Sequence, residues 1–84
     1  MKQSIEEAGV WADKITKKLD EAEKNGQDIA FAKMWVEQLR KSCVDKNWRY
    51  HNRAYIWFKN AQRQGGVFKE IFTDICHLSS YIYL

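Results

Sequence analysis

Apolar residues in the first part of the chain return at alternating intervals of three and four. Ile5, Ala8, Ala12, Ile15, Leu19 and Ala22 form the series, a spacing that lines side chains along one face of an α-helix. Trp11 widens this stripe, and Lys14, Lys17, Lys18, Asp20, Glu21 and Lys24 fill the remaining surface. Ser4 followed by Glu7 reads as a capping box that starts the helix. Asp13 to Lys17 and Asp20 to Lys24 are supportive pairs four apart. Asn25-Gly26 then supplies the left-handed residue on which helices end.

Asp28 is placed to cap a second helix, whose inner face carries Ile29, Ala32, Val36, Leu39 and Cys43. From Ile29 to Val36 only Lys33 is polar, so the apolar surface extends nearly around the helix. The pattern predicts that neighbouring helices surround this stretch; the alternative is a contact patch.

Beyond Lys46 two periods overlap. Tyr50, Ala54, Trp57, Phe58 and Ala61 fit a helix, whereas Trp48, Tyr50, Ala54, Ile56 and Phe58 alternate as in a strand. The helix is preferred because its phase continues that of the second helix with no intervening proline or glycine. A lone strand would find a partner only in the weak segment 80–84. The second and third helices are either continuous or bent near Asp45 to Asn47. Gly65-Gly66 breaks the chain, and a last helix follows with Phe68, Ile71, Phe72, Ile75, Ser79 and Ile82 inward and Asp74, His77 and Ser80 outward. The expected fold is therefore all-α, a compact bundle of three or four helices in one domain spanning residues 1–84. An α+β domain with a strand around 47–58 is the alternative.

Composition adds weight to a small, aromatic core. The chain has 84 residues, no proline and four glycines, with twelve aromatic residues that each bury on the order of 150–250 Å². The sequence shows no apolar run of the length a membrane span requires, and a cytoplasmic location without membrane contact is expected. Cys43 and Cys76 are too few for a disulfide framework. They are expected as buried free thiols, with a single bridge between them left open.

Charge changes the picture more. Net charge is +3, but residues 38–69 hold eight basic residues against one acidic, or +7, while the segments on either side are each −2. Within Lys46 to Gln64 there is no acid at all. If this segment is helical, Arg49, Arg53 and Arg63 share a side with Asn52, Ile56 and Asn60, and Trp48, His51 and Tyr55 flank them. Arginine binds phosphate bidentately and aromatic rings stack on unpaired bases, so the pattern suits a nucleic-acid surface. Tyr, Trp and Arg are also the residues of protein-interface hot spots. Against both stands a solubilised core helix whose Arg and Lys stems merely cover apolar surface.

Candidate chemistry is thin elsewhere. Asp74, His77 and Ser80 imitate an acid, a base and a nucleophile, yet consecutive polar positions on an outer helix face are ordinarily solvated, with no oxyanion donors implied. Cys43, His51, Cys76 and His77 are zinc-type ligands without the paired short spacings of a zinc site. Gly65-Gly66 lacks the further glycines and the lysine of a phosphate loop. No catalytic residue, metal or cofactor is assigned.

The residues thus predict a non-enzymatic interaction module, with Lys46, Trp48, Arg49, Arg53, Tyr55, Lys59 and Arg63 as its partner-binding set. Its partner is expected to be a protein with an acidic surface or a nucleoprotein complex. A DNA- or RNA-binding accessory protein using the helix at 46–64 is the alternative, and a homodimer packed through the first helix is open. In size and lack of motifs the chain resembles the small inhibitors that phages and other mobile elements direct against host defence, anti-CRISPR proteins among them. That resemblance is one of class and assigns no residue.

Overall fold

A computed structural model describes the backbone of residues 2–84 and the side chains of residues 5–84. Four helices follow one another: α1 (Lys2–Lys24), α2 (Ala30–Asp45), α3 (Trp48–Ala61) and α4 (Gly66–Ser80), with 3-10 turns at Gln62–Gln64 and Tyr81–Tyr83. The strand alternative at 47–58 is overturned, because that segment is α3. Its inward residues Ala54, Phe58 and Ala61 follow the helical period along one arc, and a helix pairs its interior backbone groups without the partner strand that the alternative would need.

Short connections make successive helices antiparallel neighbours. Trp11 meets His77 and Lys18 meets Asp74 across α1 and α4, His51 meets Ser79 and Trp57 meets Phe68 across α3 and α4, and Trp35 meets Trp57 across α2 and α3. Helix α2 also packs on α4, so α1 and α3 occupy opposite corners. The core between them contains Ile15, Leu19, Val36, Leu39, Ile71, Ile75 and Leu78, all fully buried. Each such aliphatic side chain contributes about 1.5–3 kcal/mol.

Helix ends depart from the sequence reading in detail. Helix α1 begins at Lys2, and the capping box read at Ser4 falls outside the residues whose side chains are described. Ile5, expected inward, is half exposed, because the stripe meets its neighbours only from Ala8 onward. Gly26, at φ 91°, closes α1, with the Gln27 N–H donating to the Ala22 carbonyl at 3.1 Å. Asp28 sits one residue before the N-cap position of α2 and accepts from the Ala30 N–H at 3.3 Å. Asp20 reaches across to Lys33 on α2, and not along its own helix to Lys24.

Helices α2 and α3 are separate. Lys46 adopts a left-handed conformation (φ 57°, ψ 38°) and the Asn47 N–H donates to the Ser42 carbonyl at 2.9 Å, the same closure made at Gly26 but with a lysine in the glycine's place. Asn47 then caps α3 by accepting from the Tyr50 N–H at 3.3 Å.

Candidate interaction surface

Helix α3 turns Arg49, Asn52, Arg53, Ile56 and Asn60 outward, and Arg63 follows on the adjoining turn; all six are exposed. The order arises from the helical period, since positions 49, 53, 56, 60 and 63 fall on one arc opposite Ala54 and Phe58. Among the described residues, Arg49, Arg53, Lys59 and Arg63 join no ion pair. The Arg53 guanidinium lies 5.8 Å from the centre of the Tyr50 ring, within reach of a cation–π attraction.

The flanking residues separate into two groups. Trp48 is 46% exposed and sets its edge against His51 and Tyr83. Tyr55 is half-buried between His51 and Phe72, and burial, with the neighbouring Cys76, pushes its hydroxyl pKa up. Both lie on the α4 side of α3, away from Tyr50. Lys46 is exposed, but its Nζ donates to the Tyr81 carbonyl at 2.9 Å. Lys59 and Arg63 lie at the far end of α3, beside the start of α4.

His51, read from the sequence as flanking the basic side of the helix, is instead buried. Its Nδ1 faces Asn52 Oδ1 at 3.3 Å and its Nε2 faces Ser79 Oγ at 2.5 Å. An amide oxygen only accepts, so Nδ1 donates to Asn52, and Nε2 and the Ser79 hydroxyl share the second hydrogen bond. Ser79 and His51 thereby satisfy each other inside the α3–α4 interface.

The stretch Ile29 to Val36 is not surrounded. Phe31 is 67% and Met34 45% exposed. Ile29, at the N-cap, and Ala32, Val36 and Leu39 of α2 face the core and Trp35 meets α3, and among the described residues no helix covers the arc carrying Phe31 and Met34. Phe31 lies one turn before Trp35, and Trp35 stacks on Trp57 with ring centres 6.4 Å apart. The band on α2 and α3 thus consists of exposed Phe31 and Met34, the partly buried Trp35 and Trp57, and, farther along α3, Tyr50 with Arg53 over its ring. The sequence pattern favoured surrounding helices over a contact patch for this stretch; the signal of exposed Phe31 and Met34 was an apolar arc too wide for one buried face.

The residues considered for catalysis or metal binding are engaged separately. The Lys18 ammonium donates to Asp74 at 2.8 Å, and this hydrogen bond pushes the Lys18 pKa up. His77 lies flat on Trp11, with ring centres 4.6 Å apart, and the Ser80 hydroxyl donates to the His77 carbonyl at 2.6 Å. Asp74 is thus partly buried, correcting its place on a solvated face. Cys43 is buried, and Cys76, expected to be buried too, is exposed; neither forms a disulfide. Among the described residues, no group of three or more His, Cys, Asp or Glu side chains is arranged to hold a metal ion, and no helix is long and apolar enough to cross a membrane. Comparison with protein-family models, curated proteins and solved structures gives no match.

Proposed function

We propose that the protein is a non-enzymatic interaction module that acts by covering part of a protein or nucleoprotein partner, as an inhibitor or adaptor does. The observation that carries this reading is the band on α2 and α3, in which exposed Phe31 and Met34 stand beside the stacked Trp35–Trp57 pair and Tyr50 with Arg53 follow farther along α3. Large apolar side chains that stay in water across neighbouring helices mark an interaction site, and Trp, Tyr, Met and Arg are its usual anchors. The acid-free outer arc of α3 favours a partner with negative charge. Action against a host defence complex, in the manner of phage-encoded inhibitors, is the version that fits a module of this size.

Two double variants test the reading. Phe31→Ser with Met34→Ser removes the anchors, and Arg49→Glu with Arg53→Glu reverses the charge. All four side chains lie outside the core, so the thermal midpoint should barely move, within about ±0.5 kcal/mol per site. Affinity for the partner that copurifies from the native host after nuclease treatment should fall by at least tenfold in each, since hot-spot losses run to about 2 kcal/mol or more. If both folded variants bind as tightly as the parent, the band is not the working surface.

A further inference from the structure

At the end of the bundle where α3 passes into α4, Lys59, Asn60, Gln62, Arg63, Gly65 and Lys69 surround a shallow concavity. Three of these six carry positive charge and none carries negative charge. Lys59, Arg63 and Lys69 are all exposed, and among the described residues they form no ion pair and no side-chain hydrogen bond. Glu70, the next acid in the chain, belongs to a different groove, with Trp11, Lys14, Lys17 and Lys18 of α1. Three like charges facing one hollow repel one another, and their mutual cost is relieved only by an anion or by salt.

The backbone supports the same chemistry. Gly65 has φ 73° and ψ −159°, a region essentially restricted to glycine, and it turns the chain sharply enough to bring Lys69 round to Lys59 and Arg63. As the N-cap of α4 it contributes no side chain, so the first N–H groups of that helix remain without a side-chain cap at the same rim. The side-chain amides of Asn60 and Gln62 add neutral donors.

We propose that this elbow binds the phosphate backbone of a polynucleotide. A single small phosphate in so open a hollow gains little, because water screens each contact. A polymer gains by engaging further cations, and the outer arc of α3 supplies them. Arg63 to Arg49 spans fourteen residues, or about 21 Å at 1.5 Å per residue, the length of roughly six phosphates along one strand at 3.4 Å each. Arg53 and Arg49 would therefore extend the track that begins at the elbow. This inference does not rest on the Phe31 and Met34 anchors.

The test measures fluorescence anisotropy of a labelled fifteen-nucleotide single strand and of a labelled fifteen-base-pair duplex, titrated with the intact protein across a range of salt. The triple variant Lys59→Gln, Arg63→Gln, Lys69→Gln should keep its circular dichroism spectrum and thermal midpoint. Its affinity for whichever form the parent binds should fall at least tenfold. The slope of log affinity against log salt should become shallower by about 2, the counterion release expected from three lost single-strand contacts. Phe31→Ser with Met34→Ser should leave this binding intact, which separates it from the protein-binding reading. Undiminished binding by the triple variant, or binding of neither oligonucleotide by the parent at low salt, would overturn the proposal. So would competition by inorganic phosphate as effective, per phosphate, as by unlabelled oligonucleotide.

Discussion

His51 and Ser79 show how a polar pair is held at a helix interface. Each is buried, and each is the other's partner. Removing one leaves the other unsatisfied, which costs about 1–3 kcal/mol for a buried group. Ser79→Ala should therefore lower unfolding free energy by about that amount in a denaturant titration, and Ser80→Ala, one residue on but exposed, should not. Equal effects of the two would mean that the His51 contact contributes nothing. Ser79 was legible as inward from the helical period; His51 lies on the same buried arc as Ala54, Phe58 and Ala61, but its polar side chain and the choice of Tyr50 and Trp57 as inward residues hid that phase. The cysteines divide in a similar way. Cys43 is 2% exposed, and burial pushes its thiol pKa up to about 11, whereas Cys76 is exposed. A pKa raised in the folded state favours folding below the ordinary thiol range and loses that contribution as pH rises through about 11. Thiolate is the reactive form. Iodoacetamide at pH 8 should thus label Cys76 alone, with Cys43 labelled only after denaturation; rapid labelling of both in the native protein would contradict this burial.

At the level of helices, the sequence resolves best where a single period dominates. The stripes of α1 and α2 predicted nearly every buried position from Ala8 to Cys43, and Gly65-Gly66 located the start of α4. The junction of α2 and α3 was ambiguous because its break uses Lys46, a residue with no preference for the left-handed region, where glycine is the usual signal. Placing an L-residue there costs roughly 1–2 kcal/mol, offset in part by the Lys46 hydrogen bond to the Tyr81 carbonyl and by the cap from Asn47. Asn47→Ala should destabilise the protein by about 1 kcal/mol, read as a lower denaturant midpoint with an unchanged slope. No change in midpoint would show that the Asn47 cap is dispensable. The strand-like alternation of Trp48, Tyr50, Ile56 and Phe58 had a physical source as well. Tyr50 and Ile56 are large apolar residues on the exposed side of a helix, and their presence there blurs the period.

Across the whole molecule, the concentration of positive charge in the middle of the sequence becomes a spatial feature, since the outer arc of α3 and the elbow lie on one continuous stretch. The charge was legible; its closure with Lys69 was not, because Lys69 joins Arg63 only through the turn at Gly65. The exposed band on α2 was legible only as an excess of apolar residues, as the pattern along one helix cannot show that no neighbour arrives to cover it. The antiparallel order has a mechanical consequence. Glu7, early in α1, and Tyr81, just past α4, are close enough for the Tyr81 hydroxyl to donate to the Glu7 carboxylate at 3.1 Å. The two ends of the described chain therefore meet at one pole, while Phe31 and the elbow occupy the other, about 22 Å away along α4 at 1.5 Å per residue. A tether or label attached at Leu84 therefore emerges beside Trp48 and the Arg49 end of α3, where Trp48 meets Tyr83, so a molecule gripped there like a tool by its handle keeps Phe31 and the elbow clear while crowding Arg49.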